Sequence, residues 1–159
     1  MKLKEYQKEA IKYIREHKKA MLNMGCRTGK TITALCAMPY RFLWVVGPPA
    51  VESFWRKENR KLKRPKDLCF LSKFNKKDLW GMARAKPRQI IVDESHENMK
   101  WQTSEPILRA CKRAEYVALL TATPIINDPL SLYWPLKICG EFMGTIDAFK
   151  LIYLSLIHI

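Results

Sequence analysis

The sequence "KAMLNMGCRTGKTITALCAM", residues 19–38, contains the strongest fold signals of this chain. It begins with an apolar run of strand length, passes through a loop with two glycines, and ends in an apolar helix pattern that stops before a proline. The loop closes on Gly-Lys-Thr at residues 29–31, the end of the phosphate-binding pattern G-x-x-x-x-G-K-[ST]. That pattern requires a first glycine where this sequence has Met24, and the nearest glycine, Gly25, comes one position later. The stretch therefore predicts a strand, a phosphate-binding loop with an altered front half, and a helix.

The rest of the chain alternates between apolar runs of strand length and helix patterns. Such alternation is typical of βαβ units, which form a parallel sheet covered by helices on both faces. We therefore predict an α/β domain with a mainly parallel sheet between two layers of helices. The predicted strands are residues 19–24, 41–47, 68–71, 88–94 and 115–123, and the predicted helices are residues 5–17, 30–38, 50–62, 76–85, 105–114, 128–139 and 145–153.

Lysine and arginine dominate the charged residues. The 159 residues include 29 Lys and Arg against 15 Asp and Glu, which gives a formal net charge of +14. This length fits one domain, and an apolar fraction of 48% is enough for a folded core. The basic excess indicates a polyanionic partner, nucleic acid before a membrane surface. The alternative is a solvated basic surface with no such partner.

The cysteines and the N-terminal sequence indicate the compartment. The five cysteines are odd in number and contain no C-x-x-C pair, which favours reduced thiols over a disulfide framework or a zinc site. The N-terminal residues lack the apolar segment of a signal peptide, and no apolar run approaches the roughly 18–20 residues of a membrane span. We therefore expect a soluble, cytoplasmic protein with no membrane partner.

A second strand supplies the acidic residues that a phosphate site with a metal needs. In "IIVDESH", residues 90–96, a buried strand is followed by Asp93 and Glu94. Ligands of parallel sheets bind at the carboxyl ends of the strands, so both acids are expected where a nucleotide would bind. Lys30 can reach the β- and γ-phosphates, Thr31 can offer its hydroxyl to magnesium, and Asp93 can hold the same ion, partly through water. Glu94 can orient or deprotonate an attacking water. The alternative for the acidic pair is the cap of a helix.

A third strand ends in small hydroxyl residues. The sequence "LLTATP", residues 119–124, places Thr121 and Thr123 at the end of a predicted strand. Together with His96, these hydroxyls could relay the state of the γ-phosphate through hydrogen bonds. The alternative is a simple turn from strand to loop that Pro124 terminates.

Taken in order, "YQ" at residues 6–7, "GKT" at 29–31, "VDESH" at 92–96 and "TATPIIND" at 121–128 resemble the first RecA-like domain of superfamily-two helicases. Within that superfamily the chain is similar to the Swi/Snf-related, DEAH-type ATPases, including their short phage and bacterial members. The segments "FLWVVGPPAVESFW" and "TATPIINDPLSLYWPLKIC" match further stretches of the family. The resemblance implies a three-layer RecA-like P-loop NTPase domain at residues 1–153, in the cytoplasm of a bacterial cell or a phage-infected host.

The resemblance also implies a role for each site residue. Adenine would be contacted by Tyr6 and Gln7. ATP and its Mg²⁺ would be held by the loop and the helix start, through Gly25, Thr28, Gly29, Lys30 and Thr31. The catalytic residues would be Lys30 at the phosphates, Asp93 as the metal-side acid and Glu94 as the base. Coupling of hydrolysis to movement would involve His96, Thr121 and Thr123. The family's loop often reads M-G-x-G-K-T, so this loop either carries two extra residues between Gly25 and Gly29 or has Arg27 where a Gly usually lies. Arg27 either contacts a phosphate or projects into solvent.

The basic charge is concentrated between residues 52 and 88, which contain 13 Lys and Arg against 4 Asp and Glu. In the family the nucleic-acid track lies along this side of the sheet, and DNA is favoured over RNA as the partner. Lys and Arg would contact phosphates without reading the base sequence. Trp55 and Trp80 could stack on bases, but their helical spacing favours positions in the core.

The resemblance implies a second RecA-like domain that carries arginine fingers. We expect this chain to be truncated at its C-terminus and to lack that domain. An arginine finger contributes about 10³–10⁵ in rate, so the chain alone is expected to be a poor ATPase. Residues 154–159, "LSLIHI", can be back-translated to a transposon-end sequence used in sequencing adaptors, so they are either adaptor read-through or a genuine apolar tail.

The expected function is the ATP-binding half of a nucleic-acid-dependent ATPase. The main alternative is a catalytically inactive module that binds nucleic acid or a partner on the same fold. A small-molecule P-loop kinase is a further alternative, which "DESH" and "TATPIIND" disfavour.

Overall fold

A five-stranded parallel sheet forms the centre of the molecule. The computed structural model describes residues 3–25, 27–95, 105–122 and 129–154. The strands are β1 (Lys19–Asn23), β2 (Phe42–Gly47), β3 (Asp67–Ser72), β4 (Gln89–Val92) and β5 (Tyr116–Thr121). Their order across the sheet is β1-β5-β4-β2-β3, and every neighbouring pair is parallel.

Helices connect the strands along the described parts of the chain. They are α1 (Glu5–His17), α2 (Lys30–Ala37), α3 (Glu52–Arg60), α4 (Lys76–Ala85), α5 (Glu105–Arg113), α6 (Tyr133–Cys139) and α7 (Ile146–Phe149). Short 3-10 turns at Pro49–Val51 and Pro129–Leu132 precede α3 and α6, and a π-helical segment, Lys150–Leu154, follows α7.

Successive side chains of each strand enter two separate cores. Val45 pairs with Ile91 in the ladder between β2 and β4, and both pack with residues of α1, α2 and α3. The next pair, Val46 and Val92, packs with residues of α4, α5 and α6 on the opposite face. Because side chains alternate along a strand, a sheet covered on both faces needs the continuous apolar runs seen in the sequence. The predicted three-layer arrangement is confirmed.

Two lysines fix the carboxyl ends of helices. Lys66 Nζ donates to the carbonyl of Met38 at the end of α2, at 2.6 Å, and Lys19 Nζ donates to the carbonyl of Cys111 near the end of α5, at 3.0 Å. Cations are favourable there because the last carbonyls of a helix have no partner within it. Burial lowers the pKa of both lysines. Burial also raises the pKa of the Cys111 thiol to about 12.

The observed elements follow the predicted order, with small differences at their ends. The strand predicted for residues 88–94 ends at Val92, so the two acids that follow lie in a turn. The helix predicted for residues 128–139 divides into a 3-10 turn and α6, because Pro135 has no N–H to donate and is tolerated only in a first helical turn. Residues 154–159 were predicted to be either adaptor read-through or a genuine apolar tail. Of these, residues 155–159 lie outside the described residues. Within the described helices, none is long and apolar enough to cross a bilayer.

Candidate nucleotide-binding site

The predicted site residues come from strands that end at one edge of the sheet. Because all five strands are parallel, the loop after β1 and the turn after β4 leave at the same carboxyl edge. Strand β5 lies between them and ends at Thr121, which pairs with Asn23 in register. The hydrogen bond from Met24 N to the carbonyl of Thr121, at 3.2 Å, continues this pairing into the loop. Thr121 is 1% exposed, so its hydroxyl lies inside this edge.

The loop between β1 and α2 is held by its own polar groups. Thr28 Oγ1 donates to the carbonyl of Gly25 at 2.7 Å. Gly29, which precedes α2 directly, has a φ of 87°. Arg27 is exposed and has a φ of 61°, so a non-glycine residue occupies left-handed backbone here. Cys26 lies outside the described residues.

Helix α1 supports this loop with two side chains. Tyr6 Oη donates to the carbonyl of Thr28 at 2.8 Å, and Gln7 Nε2 donates to the same oxygen at 3.1 Å. Gln7 is 7% exposed, and its Oε1 accepts from Lys4 N at 2.9 Å, so both ends of its amide are used. The two residues predicted as adenine contacts thus lie against the phosphate loop. Their contact with adenine stays a prediction.

The glycine at position 29 is required by geometry as well as by backbone angle. A Cβ at this position would overlap Gln7 Nε2. Gln7 is buried and hydrogen-bonded at both ends, so it has little freedom to move away. Gly29 therefore lets the loop approach α1 closely enough for the bonds to Thr28.

The lysine and threonine of the loop begin helix α2. Lys30 Nζ donates to the carbonyl of Met24 at 2.8 Å, which holds the ammonium group across the loop. Thr31 is half-buried in the first turn of α2. The first N–H groups of a helix have no partner within it, and with the helix dipole they favour an anion. The geometry therefore suits a phosphate group at the start of α2.

The Asp93 carboxylate is held by several groups at the end of β4. Its backbone N–H donates to the carbonyl of Val46 at 2.8 Å. Its Oδ2 accepts from Trp55 Nε1 at 2.8 Å, and its Oδ1 accepts from Glu94 N at 3.0 Å. A Cβ at Gly47 would lie 3.2 Å from the Asp93 Cβ, so the small residue on β2 leaves room for this side chain. The orientation of the Asp93 carboxylate is thus fixed by contacts to both of its oxygens.

The next residues form a tight turn. Glu94 is half-buried and has a φ of 48°, in the left-handed region that non-glycine residues rarely occupy. Ser95 is 1% exposed, and among the described residues its Oγ has no hydrogen-bond partner. Strained backbone, such as that of Glu94, concentrates at functional sites. Of the predicted coupling residues, His96 and Thr123 lie outside the described residues.

Trp55 shows what the sequence analysis missed. The prediction that it belongs to the core is confirmed, because it is 0% exposed. Trp80 likewise packs, partly buried, against the core on the opposite face. The hydrogen bond from the Trp55 indole to Asp93 was not predicted, since a core position indicates apolar contacts and does not identify the acceptor of the N–H. The only signal was the residue type, because a buried indole N–H needs an acceptor.

The donor set at this edge fits magnesium. Thr31 offers a hydroxyl and Asp93 a carboxylate, and both are the oxygen ligands that Mg²⁺ prefers. In the described residues, no group of three or more His, Cys, Asp or Glu side chains could hold a metal. Mg²⁺ in nucleotide sites needs no such group, because it uses one or two carboxylates together with substrate phosphates.

We expect Gly29→Ala to destabilise the protein more than Gly140→Ala. Gly140 has a φ of 83°, close to the 87° of Gly29, so alanine at either position costs about 1–2 kcal/mol in backbone strain. A Cβ at Gly140 meets no atom within 4 Å, whereas at Gly29 it displaces Gln7. Losing the two Gln7 hydrogen bonds should add about 1–3 kcal/mol, which urea unfolding of both variants would measure.

A double variant isolates this contact. Once Gln7→Ala has removed the clash, adding Gly29→Ala should cost only the strain also seen for Gly140→Ala. Equal losses in the two single glycine variants would show that the loop does not press against Gln7.

Comparisons with known proteins agree with this architecture. No protein-family model and no curated protein matches the sequence. Among solved structures, the chain is similar to the Sulfolobus solfataricus SWI2/SNF2 ATPase core in complex with dsDNA, with a TM-score of 0.76 and 20% sequence identity. The match covers 99% of this chain and 40% of that chain, so this chain spans less than half the length of its neighbour. The likeness establishes a RecA-like α/β fold.

Proposed function

We propose that this chain is the ATP-binding half of a nucleic-acid-dependent ATPase of the Swi/Snf-related, DEAH-type kind found in bacteria and phages. The observation that carries the proposal is the convergence of the phosphate loop and the Asp93–Glu94 turn at one edge of the sheet. The structural neighbour is an ATPase core bound to dsDNA, which supports the same reading. The site of action is the cytoplasm of a bacterium or of a phage-infected host.

The loop and α2 would bind the triphosphate. Backbone N–H groups at the start of α2 favour anionic oxygens, and Gly29 lets the backbone approach them. Lys30 Nζ, now bonded to the Met24 carbonyl, lies on the loop and can exchange that carbonyl for a β- or γ-phosphate oxygen. The phosphates are the stronger partner because the new bond joins opposite charges.

Thr31 and Asp93 would hold the magnesium ion of the substrate, Asp93 partly through water. When bound, the ion would neutralise charge on the phosphate oxygens. Glu94 would act as the base that orients and deprotonates the attacking water, which hydrolyses ATP to ADP and phosphate. The left-handed turn at Glu94 supports this assignment, because strained residues concentrate where function fixes the backbone.

The exposed face of α3 and the segment after it would contact nucleic acid. Exposed basic residues on this surface are Arg56, Lys57, Arg60, Lys61, Lys63 and Arg64. Phe54, on the same helix, is 50% exposed and adds an aromatic face beside the cations. Such a surface contacts the phosphate backbone without reading sequence, so we propose binding to DNA, in preference to RNA, without sequence selectivity.

A second RecA-like domain of the parent protein would complete the ATPase. Two observations support this proposal. The motifs resemble those of two-domain motors, and the match covers only 40% of the structural neighbour's chain. An arginine from that domain would stabilise the transition state, so this chain alone would hydrolyse ATP slowly.

The altered loop favours one other function. Arg27 occupies left-handed backbone, which glycine would adopt at lower cost. A protein that has lost ATP binding but keeps its basic surface would be a nucleic-acid-binding module on the same fold. The two candidates differ in whether the loop still binds nucleotide.

We expect Lys30→Ala to abolish or greatly weaken the binding of a fluorescent ATP analogue. The substitution removes the cation that pairs with the phosphates but leaves α2 in place. Lys12→Ala, which changes an exposed lysine on α1, is the matched control and should bind as the wild type does. Undiminished affinity of Lys30→Ala would refute the assignment of the phosphate loop and favour the binding module.

We expect the affinity for nucleic acid to depend steeply on salt and little on base sequence. Fluorescence anisotropy with unrelated duplexes at several salt concentrations would measure both. Charge reversal by Lys63→Glu with Arg64→Glu should reduce the salt slope by about 2, because each phosphate contact contributes about 1. Lys8→Glu with Lys12→Glu, on exposed positions of α1, makes the same change in net charge and should reduce the slope less. A flat salt response would contradict the proposed surface.

We expect Glu94→Gln to preserve ATP binding and to reduce turnover. The amide keeps the shape of the side chain but cannot deprotonate water, so the rate should fall by about 10²–10⁴. The measurement is nucleic-acid-stimulated hydrolysis by the full parent chain, with thermal stability followed on the same variant. If Glu94 only caps the next helix, turnover stays normal and stability falls by about 1 kcal/mol, which would remove Glu94 from the catalytic residues.

A further inference from the structure

Trp55 lies wholly in the core and still reaches the edge of the sheet where the nucleotide would bind. It is on α3 and is 0% exposed, packed with residues of β2 and β4 such as Val45 and Ile91. Its indole Nε1 donates to Asp93 Oδ2 at 2.8 Å. A buried tryptophan can meet its need for an acceptor at many backbone carbonyls. Here the acceptor is the carboxylate that we propose for the magnesium site.

The bond to Trp55 belongs to a set of contacts that fix Asp93. The backbone of Asp93 is held by Val46, and its second carboxylate oxygen accepts from the N–H of Glu94. Gly47 leaves the space that the side chain occupies. Each carboxylate oxygen has about two acceptor positions, so the bond from the indole uses only part of the acceptor capacity of Oδ2. The indole therefore helps to fix the orientation of the carboxylate group.

We propose that Trp55 is a positioning residue for the magnesium site, through its hydrogen bond to Asp93. This inference rests on the proposed function. A hydrogen bond to a carboxylate is stronger than one between neutral groups, and burial strengthens it further. Outer partners of this kind orient ligating groups and set metal affinity. The same helix exposes Arg56 and Lys57, so one rigid element carries both the proposed nucleic-acid surface and the support of the metal ligand.

The test is the magnesium dependence of nucleotide binding to this chain. Trp55→Phe keeps an aromatic ring in the core and removes the N–H donor. Binding of a fluorescent ATP analogue would be titrated with Mg²⁺ and repeated in EDTA, with urea unfolding on the same samples. Loss of an outer partner should raise the Mg²⁺ concentration at half-saturation about 10–100-fold and leave the EDTA affinity unchanged. Trp80→Phe, a partly buried tryptophan on the other face, is the matched control and should change neither affinity.

The possible results distinguish a failure of the positioning role from a failure of the proposed function. A wild-type chain that binds nucleotide with no dependence on Mg²⁺ would refute the proposed magnesium site. If the wild type depends on Mg²⁺ and Trp55→Phe does so equally, the positioning role is refuted. Equal losses of affinity in Mg²⁺ and in EDTA, together with lower stability, would also refute it and assign Trp55 to packing alone.

A second variant removes the N–H without changing the packing. 3-Benzothienylalanine incorporated at position 55 has nearly the shape of tryptophan, with sulfur in place of the N–H. It gives the same comparison if Trp55→Phe fails to fold. We expect it to show the raised Mg²⁺ requirement with wild-type stability, and a wild-type Mg²⁺ requirement would overturn the proposal.

Discussion

The common direction of the five strands is the constraint on which the candidate site depends. The loop after β1 and the turn after β4 are far apart in sequence, and they meet only because both strands end at the same edge. Strand β5 separates them by two ladder steps, or about 10 Å at ~4.8 Å each. In the proposed function, phosphates and a metal ion would lie across this spacing, with Lys30 on one side and Asp93 on the other. A single antiparallel strand in either place would send its loop to the opposite edge.

Much of this arrangement could be predicted from the sequence, because local patterns determine it. The apolar runs of β2 and β4 are continuous, so they predicted strands buried on both faces, and the two cores around Val45 and Val46 have that form. The amphipathic pattern of residues 5–17 predicted α1 with its observed ends. Gly-Lys-Thr after an apolar run predicted the loop and the start of α2. Each of these signals lies within one element or at its boundary.

The rest of the site depends on contacts between distant segments. The sequence does not state that β5 lies between β1 and β4, because strand order is set by how the helices pack on the two faces. The bond from Trp55 to Asp93 joins positions on different elements, and so do the bonds from Tyr6 and Gln7 to Thr28. These residues appeared in the sequence as a core aromatic and as adenine contacts. Their roles as supports of the loop and of the carboxylate needed the tertiary structure.

At Glu94, the residue that would be most stable in this backbone conformation differs from the residue that the proposed reaction needs. A residue with a side chain costs about 1–2 kcal/mol at a φ of 48°, and glycine would remove that cost. Glycine would also delete the carboxylate that we propose as the base. Under the proposed function, selection for stability would favour glycine at this position, and selection for turnover would favour glutamate. Engineering for thermal tolerance would then find an apparent improvement here that removes the proposed base.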